Sequence, residues 1–284
     1  MPIPGTKRRT YLEENIAAAA VTLTPAELDQ IATALPLGIV AGSLPGYEQH
    51  QSLGIGASKV FLTTAKFLIQ ALSIMSKLVV YGTPASTYVR TVRLLLEEIA
   101  VDYTLHRVDI LNGENQSAEY LAKNPFGKIP TIEVNGELLY ETAVITEYLD
   151  ATLADRKFSF SDPMLQARMR QIMAIIDSYL FRPAIGSIVI QRLILPSLGR
   201  KTDEAKVKNA IAPAQTAIEA IESLAAGSPY LLGSEASIAD FYLIPILMYL
   251  SHTPEFEVIT AQTPKLRRWR DEVSLLPNVK KLCA

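Results

Sequence analysis

The chain has 284 residues, 49% of them hydrophobic, which is enough to bury one large core or two modest ones. Its formal net charge of −2 excludes the strong positive field of nucleic-acid-binding domains. One cysteine cannot form a disulfide within the chain, and the three histidines are too far apart for metal-ligand spacing. Composition therefore predicts a cytoplasmic protein with no metal, nucleic-acid or membrane partner.

Residues 1–74 are predicted to be a helical extension and linker, with a Gly-, Pro- and Ser-containing stretch at 44–58. Residues 2–43 resemble the C-terminal end of an aldo-keto reductase, where a segment like the one from Ile3 to Asn15 borders the NADPH phosphate. No barrel precedes this segment to hold the nicotinamide, so NADPH binding is not expected. A gene fusion or a mis-set start before Met75 is the favoured interpretation.

A regular pattern of strands and helices begins at Met75 and predicts a domain over residues 75–154. Asn135-Gly136 is the strongest short hairpin signal in the chain. The order βαβαββα, a parallel half followed by a hairpin, is typical of thioredoxin-like folds. Its predicted elements are a strand at 77–82, a helix at 86–100, a strand at 103–109, a hairpin at 131–140 and a helix from Thr142 to about Leu153.

The loop "GTPAS" joins the first strand to the first helix, where a thioredoxin carries two cysteines. Thr83 and Ser86 occupy the equivalent positions here, so disulfide exchange by a protein thiol is excluded. A hydroxyl at a helix start can instead donate a hydrogen bond to the thiolate of a bound molecule. Ser86 is equally well explained as an ordinary N-cap, and its neighbours have to decide between the two interpretations.

Two further stretches of this half predict contacts to a small peptide. Ile129-Pro130 opens a strand, and a cis bond there would turn the backbone of Ile129 toward an extended ligand. Glu141 and Thr142 begin the helix after the hairpin, and its free N–H groups favour an anion. Thr142 could therefore bind a carboxylate and Glu141 an ammonium group. Glu-Thr is also a common helix start.

Residues 75–284 resemble a cytosolic glutathione S-transferase of the serine-type, phi-like branch. The resemblance lies in the stretches "YGTPASTYVRTVRLLLEE", "EYLAKNPFGKIPTIEVNGELLYETAVITEYL" and "LLGSEASIADFYLIPIL". It implies glutathione as co-substrate and Ser86 as the hydroxyl that activates its thiol. Thr83 is the rival activating hydroxyl, and Tyr88 is a weaker one.

The resemblance also implies the residues that hold the tripeptide. Ile129 would pair with the cysteinyl backbone beside a cis Pro130, with Lys128 next to this edge. Glu141 and Thr142 would hold the γ-glutamyl group. Phi-like enzymes carry a basic residue for the glycyl carboxylate where this chain has Asn115-Gln116, so Gln116 would donate an uncharged hydrogen bond instead.

Residues 161–284 are predicted to form an all-helical domain. Asp162 and Pro163 start one helix, with Pro183 near its end, and Ser237 and Asp240 form a capping box before another. The electrophile pocket would lie between this domain and the Ser86 loop, where Tyr179 and Arg182 could face it. The overall fold class is therefore α+β, with a thioredoxin-like domain followed by a helical one.

The leading hypothesis is a homodimeric glutathione transferase of detoxification, which adds the glutathione thiolate to hydrophobic electrophiles. A non-catalytic protein of the same fold that binds glutathione or apolar ligands is the alternative, which the missing basic residue permits. A remnant of an aldo-keto reductase fusion is a third hypothesis.

Overall fold

The computed structural model describes residues 78–227 and 229–283, and in this part a four-stranded sheet comes first. The predicted extension over residues 1–74 and its reductase-like segment lie outside the described residues. The strand order is β2-β1-β3-β4, with β1 parallel to β2 and antiparallel to β3. The thioredoxin-like prediction is confirmed. The elements of this half are β1 Leu78–Tyr81, α1 Thr87–Ile99, β2 Thr104–His106, α2 Ala118–Leu121, β3 Thr131–Val134, β4 Glu137–Tyr140 and α3 Thr142–Leu153.

Local chemistry explains where several of these elements start and stop. Asn135 and Gly136 both adopt positive φ angles, 54° and 88°, which a two-residue hairpin turn between β3 and β4 requires. The strand β2 is shorter than the predicted 103–109. The carboxylate of Asp109 accepts hydrogen bonds from the backbone N–H groups of Leu111 and Asn112, so the chain turns away soon after β2.

The second half is helical, as predicted, and one long helix leads it. The helix α4 begins at Pro163, where the side chain of Asp162 accepts hydrogen bonds from the N–H groups of Met164 and Leu165. The helices Glu204–Leu224 and Ile238–Leu250 pack against it, and the helices Ile238–Leu250 and Pro277–Cys283 pack against α1. The elements are α4 Pro163–Ser197, α5 Glu204–Leu224, α6 Ile238–Leu250, α7 Glu255–Ile259, α8 Pro264–Val273 and α9 Pro277–Cys283.

The prediction that the first helix ends near Pro183 is wrong, because α4 continues to Ser197. Proline has no N–H group, and its ring clashes with the carbonyl four residues earlier in a regular α-helix. Here the segments Ile176–Leu180 and Ala184–Ile194, on either side of the proline, are π-helical. Their wider turns shift the hydrogen-bond register around Pro183, so the helix accommodates the proline and continues.

By length and composition alone, α4 could cross a membrane, since its 35 residues include a window of mean hydropathy 1.4. Core helices meet the same criterion. Ile172, Ile176, Leu180 and Ile188 are fully buried along this helix and belong to the main hydrophobic core. The apolar residues of α4 thus have a packing role inside the helical half.

One continuous core joins the two halves. Val89 and Leu96 of α1 belong to the same buried cluster as Leu243 of α6, and these two helices pack directly together. Asp240, fully buried at the start of α6, accepts hydrogen bonds from Leu231 N, Ser237 N, Ser237 Oγ and Trp269 Nε1 at 2.8–2.9 Å. The capping-box prediction is confirmed, and the same carboxylate also ties α6 to α8.

Candidate functional site

The register of the sheet places three of the predicted site segments at one end of the sheet. Tyr81 of β1 pairs with Thr131 of β3, and Thr131 pairs with Tyr140 of β4. At this same end of the sheet, Gly82 follows β1, Pro130 precedes β3 and Glu141 follows β4. The Thr83–Ser86 loop, the Ile129–Pro130 bond and the start of α3 consequently lie at the same end of the sheet, although up to 59 positions separate them in the chain.

Gly82 lets the loop approach closely. A Cβ atom at this position would lie 2.4 Å from a methyl group of Val89 and 3.5 Å from the Cβ atom of Ile129. Only glycine therefore fits between β1, α1 and the Ile129 edge. This contact shows that the loop with Thr83 and Ser86 passes directly beside Ile129.

Ser86 caps the N-terminus of α1. Its Oγ atom accepts a hydrogen bond from Val89 N at 3.4 Å, and its side chain is half-buried. As an acceptor in this bond, the hydroxyl keeps its own hydrogen free to donate. The hydroxyl thus lies where the partial positive charge of the helix N-terminus favours an anion. Thr83 is also half-buried, and its carbonyl accepts a hydrogen bond from Ser86 N.

Two side chains from outside the Thr83–Ser86 loop form hydrogen bonds to its backbone. Tyr249, near the end of α6, donates a hydrogen bond from its hydroxyl to Ala85 O at 2.7 Å. Arg90 of α1 donates from Nε to Pro84 O at 3.1 Å, and its guanidinium lies 4.4 Å from the centre of the Tyr249 ring. Neither residue is predicted from the sequence, because a tyrosine inside an apolar helix carries no signal of its distant partner.

The Ile129–Pro130 peptide bond is cis, as the resemblance implies. Tyr120 Oη and Asn124 Nδ2 donate hydrogen bonds to Lys128 O at 2.7 and 2.9 Å, which fixes the segment before this bond. Within residues 78–227 and 229–283, the backbone N–H and C=O groups of Ile129 have no hydrogen-bond partner. They are available to an extended peptide.

Gln116 lies against the same segment, at the end of a short 3₁₀ turn formed by Glu114–Gln116. A Cβ atom at Gly127 would meet Gln116 Nε2 at 2.3 Å, and Asn115 Nδ2 donates to Gly127 O at 2.8 Å. The structure therefore brings the Gln116 amide against Gly127, the residue before the exposed Lys128.

Glu141 precedes α3 with a φ angle of 69°, in the left-handed region that non-glycine residues rarely adopt. Its side chain is exposed and makes no capping hydrogen bond to the helix. Such a conformation is common where a site positions a side chain for a ligand. The N–H groups at the start of α3, with the half-buried Thr142, lie next to it.

Tyr88, two residues after Ser86, faces the helical half. Its hydroxyl donates to Asp177 Oδ1 at 2.7 Å, and its ring stacks on Phe181 with 4.7 Å between centroids. Burial, with the negative charge of Asp177, raises the pKa of the Tyr88 phenol above its ordinary value. The phenol is therefore neutral and already engaged at physiological pH.

The two remaining predicted residues lie on α4, and no hydrogen bond or ring contact within the described residues joins them to Ser86. Tyr179 is 67% exposed. Arg182 lines an open cavity of about 540 Å³ between α4 and α5, together with Ser187, Asp203 and Lys206. No residue of the glutathione site predicted from the sequence lines this cavity.

The comparisons with known proteins identify both halves of the described part of the chain. The models for the glutathione S-transferase N-terminal and C-terminal domains match residues 85–152 and 204–272. Glutathione S-transferase PARB of Nicotiana tabacum is 30% identical over 200 residues, which cover 70% of this chain and 93% of that protein. Glutathione S-transferase 3 of Zea mays is 28% identical over 212 residues, covering 74% and 95%.

Solved structures extend the likeness to three dimensions. A glutathione transferase from Populus trichocarpa is 28% identical with a TM-score of 0.64, covering 72% of this chain and 97% of its own. The chain therefore belongs to the glutathione S-transferase family. This confirms the predicted glutathione transferase function and favours conjugation over the non-catalytic binding protein.

Proposed function

We propose that Ser86 activates the thiol of glutathione, and that the chain adds the resulting thiolate to hydrophobic electrophiles. One observation carries this proposal: the sheet register brings a capping hydroxyl, an unpaired backbone edge and a helix N-terminus to one place. These three features match the thiol, the backbone and the γ-glutamyl end of one tripeptide.

The activation is electrostatic. A hydroxyl that donates to a thiolate stabilises the charged form, and the N-terminus of α1 adds a favourable partial charge. Every ~1.36 kcal/mol of such stabilisation lowers the pKa of the thiol by one unit. A decrease of about two units leaves a cysteinyl thiol largely ionised at neutral pH. The thiolate then attacks, and the electrophile's leaving group or acceptor atom takes up the electron pair.

The other predicted residues orient the tripeptide. In this proposal Ile129 pairs with the cysteinyl backbone beside Pro130, and Thr142 with Glu141 holds the γ-glutamyl group. Gln116 and Lys128 bind the glycyl carboxylate, and the adjacency of Gln116 to this edge supports their shared role.

The electrophile would enter between the Ser86 loop and α4. Thr83 and Tyr88 lie on the loop side of this space, and Tyr179 and Arg182 are the proposed residues on the helical side. Because Tyr88 is neutral and stacked on Phe181, it would offer an apolar wall rather than a second activating group.

Conjugation of glutathione to a chloro-nitroaromatic compound, measured across pH, tests the proposal. Ser86→Ala should lower kcat/KM by roughly 10²-fold, as expected for a positioned activating group. The rise of kcat/KM with pH should move to higher pH, because the thiol loses stabilisation of its anion. Ser86→Thr retains a capping hydroxyl and should recover most of the activity.

Other results of these measurements would support the alternative hypotheses. If Thr83→Ala, and not Ser86→Ala, shifts the pH profile, Thr83 is the activating hydroxyl. If the wild-type protein binds glutathione without turnover, the chain is a binding protein of this fold. Saturable NADPH binding by the full chain would support the reductase-like origin of residues 2–43.

We further propose a boundary near Met75, a thioredoxin-like domain over residues 75–154 and a helical domain over residues 161–284. The matched relatives support this division, since they align over about three quarters of the chain and nearly all of their own lengths. A fragment of residues 75–284 should then unfold at the same midpoint as the full chain. A cytoplasmic, homodimeric enzyme of detoxification completes the proposal, and cell fractionation tests its location.

A further inference from the structure

The backbone carbonyl of Lys128 accepts hydrogen bonds from two buried side chains. Tyr120 Oη donates to Lys128 O at 2.7 Å, and Asn124 Nδ2 donates to the same oxygen at 2.9 Å. Tyr120 is 4% exposed and Asn124 is 1% exposed, so water does not compete for these donors. The Lys128 carbonyl is therefore directed toward the interior of the domain and held there by two contacts.

A third buried side chain orients the phenol. The Tyr120 hydroxyl and Thr131 Oγ1 lie 3.1 Å apart. Because Tyr120 gives its only hydroxyl hydrogen to Lys128 O, Thr131 is the donor in this second contact. Thr131 is fully buried as the first residue of β3, so the contact ties the phenol to the sheet. Burial raises the pKa of the Tyr120 phenol, which therefore stays protonated and able to donate at neutral pH.

The direction of this carbonyl also sets the direction of the Ile129 N–H group. The two groups belong to one trans peptide unit, in which C=O and N–H point in opposite directions. With its carbonyl turned to the interior, the unit points its N–H group away from Tyr120 and Asn124. Within residues 78–227 and 229–283 this N–H group has no hydrogen-bond partner. Donors on the carbonyl also polarise the peptide unit, which strengthens the N–H group as a donor.

We propose that Tyr120, Asn124 and Thr131 are positioning residues for glutathione, which act through the Lys128–Ile129 peptide unit on the cysteinyl carbonyl of the ligand. This rests on the proposed function, in which Ile129 pairs with the cysteinyl backbone. In such a pair the Ile129 N–H group needs an acceptor, and the backbone acceptor of a cysteinyl residue is its C=O group. The three side chains fix this donor before the ligand arrives, so binding costs less backbone freedom.

This role predicts a selectivity among thiols. γ-Glutamylcysteamine keeps the γ-glutamyl group, the amide N–H group and the thiol of glutathione, but it has no cysteinyl carbonyl. It cannot accept a hydrogen bond from Ile129 N, so the orientation of that donor gives it no advantage. Its affinity should therefore be lower than that of glutathione and independent of the Tyr120 hydroxyl.

The dissociation constants of both ligands test the role, measured by titration calorimetry for glutathione and by competition with glutathione for the analogue. Tyr120→Phe removes one hydroxyl and keeps the buried ring. It should raise the Kd of glutathione about fivefold, the scale of one lost hydrogen bond, and leave the Kd of γ-glutamylcysteamine within about twofold. Thr131→Val should raise the Kd of glutathione about threefold. Thr131→Ser keeps a donor and should recover most of that loss.

Tyr103→Phe is the matched control, because the Tyr103 hydroxyl also has two hydrogen bonds. It accepts from Arg93 Nε at 2.8 Å and donates to Glu97 Oε1 at 3.4 Å. Tyr103 precedes β2, which begins at Thr104 and runs parallel to β1, so it lies at the other end of the sheet. Both dissociation constants should stay unchanged in this variant.

An equal rise for both ligands in Tyr120→Phe, or no rise for glutathione, would overturn the positioning role. A protein that binds glutathione without turnover still decides the question, because binding is what is measured. If the wild-type protein binds neither ligand, the proposed function fails and the positioning role fails with it. Wild-type affinity for glutathione in Tyr120→Phe and Thr131→Val would reject the positioning role alone.

Discussion

At the scale of single residues, the Ser86 hydroxyl combines an observed structural role with the chemical role proposed for it. It accepts a hydrogen bond from Val89 N as the cap of α1, and this bond polarises the hydroxyl toward donation. The cap therefore improves the donor that the proposed mechanism needs. The two interpretations of Ser86 left open by the sequence are compatible with each other.

The chain's single cysteine gives a prediction at the same scale. Burial raises the pKa of the Cys283 thiol to about 11, so the thiol stays protonated from neutral pH to pH 9. We expect native protein to react with a disulfide reagent at pH 8 at least about tenfold more slowly than free glutathione. Unfolding in urea should restore rapid reaction of one thiol per chain. Fast labelling of the native protein would contradict the burial of Cys283.

At the scale of elements, α6 both fills the core and holds the Ser86 loop. The hydrogen bond from Tyr249 to Ala85 O and the contact of Arg90 with the Tyr249 ring link this helix to the loop. A loop without its own side-chain anchors would let Ser86 sample unproductive orientations. In the proposed mechanism, the helical domain thus supports thiol activation indirectly, through the backbone of this loop.

Tyr249→Phe tests this support, because it removes only the hydroxyl and leaves the ring under Arg90. We expect kcat/KM for glutathione conjugation to fall about tenfold, since small displacements of an activating group are costly. Tyr148→Phe is the control, as its hydroxyl makes no hydrogen bond among the described residues. A lower melting temperature with unchanged kcat/KM would mean that Tyr249 is structural only.

At the scale of the whole molecule, the described part exposes apolar side chains that a second copy could cover. The side chain of Phe126, three residues before Ile129, is 63% exposed, and the centre of its ring lies 5.9 Å from that of the Tyr140 ring. Val144 on α3 and Met164 on α4 are also at least half exposed. Large exposed apolar side chains of this kind support the proposed homodimer.

Phe126→Asp should therefore weaken dimerisation. An aromatic anchor is worth at least about 2 kcal/mol at an interface, or roughly a 30-fold change in the dissociation constant. Sedimentation velocity at several protein concentrations should show more monomer for this variant than for wild type. Leu275→Asp is the control, because Leu275 is equally exposed but lies after α8. A monomeric wild-type protein would refute the homodimer.

The sequence was sufficient to predict a local structure wherever the contacts that determine it lie within a few residues of each other. The Ser86 cap, the Asn135-Gly136 turn and the Ser237–Asp240 capping box were all predicted, since each depends on neighbouring backbone groups. The failure at Pro183 has the opposite cause. Whether a proline ends a helix depends on local winding, and the π-helical turns around Pro183 belong to a helix packed on α5 and α6.

Tertiary structure alone decided which distant groups meet. Tyr88 and Asp177 are 89 positions apart, and Tyr249 lies 164 positions from Ala85, so no periodicity or motif joins them. The sequence by itself determined the fold class and the family, and it predicts the residue types of a thiol-activating site. The fold decided that Tyr249 of α6 holds the loop before α1, because side-chain contacts between domains depend on how the helices pack, not on local propensity.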